Sequence, residues 1–333
     1  MKDHHLRQNK LTKQWVIYAP SRRKRPRDFR AGQTALNVPG HDPGCPFCPG
    51  NEPVLGRVIE EAPGPAPHGW STRVIPNKYP ALSPVLDPRR FSVGIYLAVQ
   101  GHGRHEVVIE TPWHDRDIPD MSLPEVEAVI EAYHSRHLAL MRADGTILTI
   151  IFRNRGPGAG ASLVHPHSQI IALAVAPPHV RWREEEAQRY FDEWGRCCLC
   201  DVLDYEMQAE ERLLFENGSF AAFVPFAAEV PFEVWIVPKR HQADFAEIRD
   251  HEKPDLAQAL RYVLGRLDRR LHRPDYNYVI HSSTQYRAGE PQVHWYLQIL
   301  PRLTTRAGFE IGSGIAINPS IPEEDAAFLR GEG

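Results

Sequence analysis

The stretch "SLVHPHSQII", residues 162 to 171, places two histidines on either side of a proline within an apolar run that predicts a strand. Alternate side chains of a strand point to the same face, so we expect His165, His167 and Gln169 to lie together. Pro166 cannot donate a backbone hydrogen bond, which favours an edge strand or an open cleft. The two imidazoles therefore need separate explanations.

The chain contains an internal repeat. A C-x-x-C pair opens each half, at Cys45 and at Cys197, 152 residues apart. Each pair is followed by the same series: an alternating strand that ends in histidine, a long helical pattern, a strand, a loop with glycine, and a last strand. The last strands are residues 165–173 and 294–302, and their alignment places His167 opposite Tyr296 and Gln169 opposite Gln298.

Helix signals support this order. Ser122 and Glu125 have the spacing of a capping box, with Pro124 in the first turn of a helix predicted over residues 122–141. Apolar residues recur at helical intervals over residues 253–271. We therefore predict an α+β fold with a duplicated unit, in which each copy has an antiparallel sheet backed by one long helix. The predicted domains are 1–178 and 190–333, joined by a charged, helix-prone segment at 178–196.

Each half also supplies four residues of the types that bind zinc. A C-x-x-C turn gives two ligands from one tight loop, and the strand-end and last-strand histidines add two more. The predicted sets are Cys45, Cys48, His114 and His165 in the first half, and Cys197, Cys200, His241 and His294 in the second. Four protein ligands leave no open position for a substrate, so we expect both sites to be structural.

If His165 binds metal, His167 is held beside a rigid anchor with no ligand role, which is the position of a nucleophile or a general base. The loop before it, "FRNRGPGAGAS", places glycines between two strands, where backbone N–H groups are expected to approach an anion. Together these features indicate phosphoryl or nucleotidyl transfer through histidine.

Composition excludes other classes. The formal net charge of -3 predicts no broad cationic surface and hence no nucleic-acid partner. The N-terminus has no apolar leader pattern, and no stretch approaches the ~18 apolar residues of a membrane span, so we expect a soluble, cytoplasmic protein with no membrane partner. The one dense basic run, residues 21–30, is interpreted as a solvated loop or a phosphate contact.

At residues 152–170, "FRNRGPGAGASLVHPHSQI" resembles the active-site segment of galactose-1-phosphate uridylyltransferases, members of the histidine-triad superfamily. Further similar segments extend along nearly the whole chain: "WVIYAPSRRKRP", "RVIPNKYPAL", "PFEVWIVPKRH" and "GFEIGSGIAINPSIPEEDAA". The resemblance implies duplicated histidine-triad-like domains, of which the first is catalytic. In the second, Tyr296 takes the place of His167; a phenol, with a reference pKa near ~10, is a poor phosphorus nucleophile at neutral pH, so we expect that copy to be chemically silent. The resemblance also implies ping-pong transfer of UMP from UDP-glucose to a hexose 1-phosphate through His167, with structural zinc and a homodimer.

The resemblance also implies individual roles. The carbonyl of His165 would orient the ring of His167, while Gln169 and Ser162 would bind phosphate oxygens. The remaining positions that match the family's substrate-binding residues are Arg22, Arg25, Asn77, Asn154, Gly160, Glu310 and Asn318.

Two departures keep alternatives open. Ser168 stands where many uridylyltransferases have glycine, and H-x-H-S-Q followed by "IIALAVAP" also resembles ADP-glucose phosphorylases, so the base and the acceptor stay open. The second half reads "HWY" in place of the H-x-H metal motif of some relatives, so a site there would use its cysteine pair. A non-catalytic zinc-binding module is a further alternative, which the H-P-H-S-Q strand disfavours.

Overall fold

The structure, a computed structural model, describes residues 4–22, 38–65 and 67–332. Within these ranges the strands are β1 (His5–Gln8), β2 (Trp15–Tyr18), β3 (Glu60–Pro63), β4 (Trp70–Pro76), β5 (Arg90–Val93), β6 (Tyr96–Val99), β7 (Gly103–Ile109), β8 (Leu148–Arg155), β9 (His167–Leu173), β10 (Leu213–Glu216), β11 (Phe220–Phe223), β12 (Val234–Pro238), β13 (Tyr276–His281), β14 (Tyr296–Pro301) and β15 (Ala316–Asn318). The α-helices are α1 (Leu123–Met141), α2 (Pro178–Trp194), α3 (Cys198–Ala209), α4 (Lys253–Leu271), α5 (Gly308–Ser313) and α6 (Pro322–Arg330).

Ten strands form one antiparallel sheet in the order β10-β11-β12-β14-β13-β8-β9-β7-β4-β3. The two predicted sheets are therefore halves of a single sheet, joined where β8 pairs with β13 and Phe152 lies opposite Val279. Local patterns in the sequence do not encode this long-range pairing. The predicted α+β class and the repeat are confirmed, while the division into two domains stays a prediction.

Helices α1 and α4 lie on one face of this sheet and pack against each other. Glu125 caps α1 as predicted, since its Oε2 accepts a hydrogen bond of 2.7 Å from the backbone N–H of Ser122. The predicted apolar face of α4 is fully buried, and so are the alternate strand residues beneath the helices, such as Val108 and Ile170. Complete burial of each such side chain is worth about 1.5–3 kcal/mol, so this core holds the sheet rigid. The opposite face carries the predicted site.

A buried polar network lies between the helices and the sheet and connects the two halves. Nε of Arg153 donates to both carboxylate oxygens of Glu110 at 2.9 and 3.0 Å, and its Nη2 donates to Asp117 at 2.7 Å. Its Nη1 donates to the hydroxyl of Tyr276, across the junction in β13. Burial opposes ionisation of Asp117, but Arg153 and Arg155 outweigh it and lower the pKa of this carboxyl to about 2.

Ser168 belongs to the same network. Its Oγ accepts a hydrogen bond of 2.6 Å from the hydroxyl of Tyr133, which also lies 2.5 Å from the hydroxyl of Tyr278. The residue that departs from the usual glycine is thus fully buried behind the strand of His167.

The predicted connecting segment forms α2, as expected from its composition. In the ranges that the structure describes, no helix has both the length and the apolar character needed to cross a membrane.

Candidate active site and metal clusters

The first predicted metal set comes together. Cys45, Cys48, His114 and His165 are all buried, and one ligand atom from each lies within 4.8 Å of all the others. Sγ of Cys48 is 3.4 Å from Nδ1 of His114 and 3.6 Å from Nδ1 of His165. These separations match the edge of a tetrahedron with metal bonds of about 2.0–2.3 Å. Nε2 of His165 donates to the carbonyl of Thr111 at 2.8 Å, which leaves the Nδ1 lone pair facing the cluster.

The second set comes together in the same way. Cys197, Cys200, His241 and His294 have ligand atoms within 4.8 Å of one another, and Cys200 Sγ is 3.4 Å from Nδ1 of each histidine. Here Cys200 and His241 are only half-buried. Nε2 of His294 is buried without a hydrogen-bond partner among the described residues, so this ring lacks the orienting bond of its counterpart His165. Both clusters can hold a metal ion, and the second holds its ligands less firmly.

His167 begins β9 beside the first cluster but does not belong to it. Its Nδ1 is 2.8 Å from the carbonyl oxygen of His165. A carbonyl only accepts, so Nδ1 carries the proton and Nε2 has a free lone pair. Burial lowers the pKa of His167 and lowers that of His165 to about 4, so both rings are neutral at neutral pH. The two histidines therefore differ: His165 belongs to the Cys/His cluster, and His167 has the geometry of a nucleophile.

Phe47 connects the cluster to His167. It lies between the two cysteines of the first C-x-x-C turn, and its ring centroid is 5.4 Å from that of His167 and 6.0 Å from that of His165. The turn that supplies both cysteines of the first cluster thus also packs against the ring of His167. Sequence reasoning missed this contact, because residues inside a C-x-x-C turn carry no signal of what they pack against.

The sequence favoured an edge strand or an open cleft for Pro166, and the edge strand is wrong. β9 lies in the middle of the sheet between β8 and β7, and Pro166 immediately precedes it. Its missing N–H therefore costs no ladder hydrogen bond, while its carbonyl accepts from the N–H of Glu110 at 3.1 Å.

The glycine loop forms several hydrogen bonds of its own. The N–H groups of residues 158 to 161 donate within the protein: that of Gly158 to the carboxylate of Asp275 at 2.6 Å, and the next three to loop carbonyls. Asp275 also explains Gly156, because a Cβ there would lie 1.9 Å from its Oδ1. The glycines shape a tight turn in which these four N–H groups have partners within the protein, and contact of the loop's N–H groups with an anion stays a prediction.

The other predicted substrate residues are distributed over several segments. Asn154 lies at the end of β8, where its Oδ1 accepts from Asn277 at 2.7 Å, and Ser162 and Gly160 are exposed in the loop. Asn77 follows β4 and accepts from the N–H of Tyr79 at 2.8 Å. Arg25 lies outside the described residues, and the side chain of Arg22 is likewise not described.

The C-terminal pair lies elsewhere. Glu310 caps α5 by accepting from the N–H of Ala307 at 3.1 Å. Asn318 is fully buried, donates to the carbonyl of Ala228 at 3.0 Å and accepts from the N–H of Ser320 at 2.9 Å. Both polar groups of this amide already have partners in the chain, and contact of Glu310 or Asn318 with a substrate stays a prediction.

The equivalent position in the second half is closed. Tyr296 lies between the rings of His281 and Trp235, each 4.7 Å away. Arg183 of α2 covers it, with Nη1 2.9 Å from Nδ1 of His281. Burial raises the pKa of Tyr296, which makes its hydroxyl a still poorer nucleophile. Sequence reasoning assigned α2 only a connecting role and missed the packing of Arg183 over Tyr296.

Comparisons with known proteins agree with the geometry. A family model described as galactose-1-phosphate uridyl transferase, N-terminal domain, matches residues 1–177, and its C-terminal counterpart matches residues 183–319. An ADP-glucose phosphorylase from Arabidopsis thaliana is 38% identical over 333 residues, 98% of this chain and 92% of the relative. A galactose-1-phosphate uridylyltransferase from Thermotoga maritima is 31% identical over 336 residues, 98% of this chain and 97% of the relative.

Solved structures show the same likeness. The crystal structure of an ADP-glucose phosphorylase from Arabidopsis thaliana with bound ADP-glucose has a TM-score of 0.84 at 35% identity and covers 98% of both chains. A uridylyltransferase structure has a TM-score of 0.77 at 29% identity, with 98% of this chain and 97% of that chain covered. The family models match both halves, and relatives above 30% identity align along almost the full length. The protein is therefore a nucleotidyltransferase and belongs to the galactose-1-phosphate uridylyltransferase family.

Proposed function

We propose that the protein transfers UMP from UDP-glucose to a hexose 1-phosphate such as galactose 1-phosphate, through a covalent intermediate on His167. The observation that carries this is the hydrogen bond of 2.8 Å between Nδ1 of His167 and the carbonyl of His165, which leaves Nε2 as the nucleophile. Nε2 attacks the α-phosphorus, an N–P bond forms, and the P–O bond to glucose 1-phosphate breaks. A phosphate oxygen of the acceptor then attacks phosphorus, and the N–P bond breaks to release neutral His167.

The second candidate is phosphorolysis of ADP-glucose, in which inorganic phosphate accepts AMP from His167. The likeness to the Arabidopsis ADP-glucose phosphorylase, at 38% identity and a TM-score of 0.84, favours it. Both reactions share the first step and differ in the base and in the acceptor.

Each of the two Cys/His clusters holds one structural Zn²⁺ in this proposal. The donor sets are Cys₂His₂, and sulfur-to-nitrogen distances of 3.4–3.6 Å fit tetrahedral coordination. The metal would fix the C-x-x-C turn and the segment before β9, and it would take no part in bond making. The thiols are free cysteines, which is consistent with the cytoplasm we propose as the location.

The remaining substrate contacts and the homodimer are part of the same proposal. Gln169 and Ser162 would bind the phosphates, and Arg22, Arg25, Asn77, Asn154 and Gly160 the nucleotide end. Glu310 and Asn318 would contact the sugar. Phe309 and Ile311 flank Glu310 and are 50% and 76% exposed, which is consistent with a second copy covering α5.

The test is covalent labelling of the zinc-loaded protein. It is incubated with UDP-glucose or ADP-glucose, and intact-protein mass spectrometry measures the added UMP or AMP. Labelled protein is then mixed with galactose 1-phosphate or inorganic phosphate to find which acceptor removes the group.

A UMP adduct that galactose 1-phosphate removes supports the uridylyltransferase. An AMP adduct that phosphate removes supports the second candidate. His167→Gly is the negative control. No adduct with either sugar nucleotide, or an adduct that survives in His167→Gly, would refute the mechanism.

A further inference from the structure

The side chain of Gln169 is held from one side. Its Oε1 lies 2.7 Å from Nε2 of His105, and among the described residues its amide nitrogen has no hydrogen-bond partner. In the register of β7 and β9, Ile109 lies opposite His167 and His105 lies opposite Ile171. His105 therefore contacts Gln169 from the side away from the nucleophile.

The hydrogen bonds of His105 determine which atom of the amide it holds. The backbone N–H of Ala81 donates to Nδ1 at 3.3 Å, so a neutral ring carries its proton on Nε2. The Nε2–H group of His105 requires an acceptor, which Oε1 of Gln169 provides. If the Gln169 amide were rotated by 180°, it would present its NH₂ group to His105, and two donors would face each other. Nδ2 of Asn77 also lies 3.2 Å from Nε2, but it is a donor, so the shorter contact to Oε1 is the hydrogen bond. The amide nitrogen of Gln169 must then face away from His105.

The second half provides an internal comparison. The equivalent Gln298 also has its Oε1 2.7 Å from a histidine Nε2, that of His281. However, its amide nitrogen donates to Oε1 of Glu233 at 2.7 Å. Both ends of the amide are thus occupied in the silent half, whereas the catalytic half keeps one NH₂ group free beside the nucleophile.

We propose that His105 is a positioning residue for nucleotidyl transfer, which turns the amide N–H groups of Gln169 toward the α-phosphate attacked by His167. This inference rests on the function proposed above. Charge on the phosphoryl oxygens is stabilised by N–H donors, and the inverted amide would present a carbonyl oxygen that repels them. His105 itself touches no substrate atom and acts through Gln169.

The experiment measures the single-turnover rate of adduct formation with the sugar nucleotide that labels the wild-type protein. His105→Phe and His105→Ala remove the donor, while His105→Gln retains an N–H donor near the position of Nε2. We expect the first two variants to be about 10-fold slower, the effect of one hydrogen bond of ordinary strength. We expect His105→Gln to remain within about 3-fold of wild type, which a merely structural role would not explain.

The same substitutions in a Gln169→Ala background test whether His105 affects the rate of adduct formation through Gln169. There His105→Phe and His105→Ala should change the rate by less than about 2-fold, because the group that His105 positions is gone. Equal slowing in both backgrounds, or wild-type rates for both variants in the parent protein, would overturn the positioning role alone. A wild-type protein that forms no adduct would overturn this role together with the proposed function.

Discussion

Replacing Arg153 by methionine tests the buried polar network behind β9, the strand that begins at His167. Arg153 is 2% exposed, and its guanidinium is shared by Glu110, which is fully buried, and Asp117, which is 6% exposed. In Arg153→Met, Asp117 keeps Arg155, whose Nε is 2.6 Å from Oδ2. Glu110 keeps its hydrogen bond with the hydroxyl of Ser168, and the hydroxyl of Tyr133 lies 3.2 Å from its Oε1. Removing one partner of such a buried pair costs about 3–5 kcal/mol, so the free energy of unfolding should fall by that amount at pH 8.

The loss should also depend on pH. Burial already raises the pKa of Glu110 despite the adjacent guanidinium, and without Arg153 this pKa rises further. A carboxyl whose folded pKa is raised binds protons in the folded state, so its contribution to stability is present at low pH and lost as pH rises through the folded pKa. The deficit of Arg153→Met relative to wild type should therefore be smaller at pH 6 than at pH 8.

The assay is urea unfolding, followed by tryptophan fluorescence and circular dichroism, with zinc present at both pH values. Arg189→Met serves as the matched control, because the Arg189 side chain is 71% exposed and its pair with Glu186 should contribute less than about 1 kcal/mol. Adding Glu110→Gln to Arg153→Met should recover part of the loss, since it neutralises the unpaired carboxylate. A deficit below about 1 kcal/mol, or one that is equal at pH 6 and pH 8, would refute the reasoning.

The remaining predictions concern the site. His167→Gly should abolish the adduct and keep both metal ions, whereas His165→Ala should lose one ion and stability together; equal metal loss in both would contradict their separate roles. Tyr296→Phe should form one adduct per chain at the wild-type level by mass spectrometry, and a second adduct would disprove a silent second half. A chelator should remove the remaining ion faster from His165→Ala, which retains the less buried second cluster, than from His294→Ala, as a colorimetric zinc indicator would report. Phe47→Ala should slow adduct formation while the metal content stays at two ions. An unchanged rate would show that the contact between the rings of Phe47 and His167 does not contribute to the reaction.

Local sequence patterns predict much of the fold. The capping box at Ser122 fixes the start of α1, and the apolar periodicity of residues 253–271 gives α4. The junction of the two halves was not predictable, because the register of β8 against β13 depends on backbone pairing between segments more than 120 residues apart. Their apolar runs indicate central strands but do not name the neighbour.

The candidate site also has features that the sequence predicts and features that it does not. Both metal sets were predictable because the repeat supplies the same residue types in the same order twice, and the structure brings each set together. One partner of the glycine loop was not predictable, because the N–H of Gly158 donates to Asp275, a residue of the other half. His105 and Arg183 were missed because they act on neighbouring segments, and a single histidine or arginine in an amphipathic element has no distinguishing pattern.

The pairing at the centre of the sheet has a consequence for the origin of the chain. Phe152 lies opposite Gln169 in β9, and Val279 lies opposite Gln298 in β14. Phe152 and Val279 also lie opposite each other where β8 pairs with β13. Equivalent positions that meet in this way place a pseudo-twofold axis through the Phe152–Val279 pair, the arrangement of an isologous dimer interface. The chain thus has the form of an ancestral homodimer fused by gene duplication, in which the junction pairs one sheet edge of each subunit, β8 with β13. After such a fusion the two halves could diverge, and they now carry His167 and Tyr296 at equivalent positions.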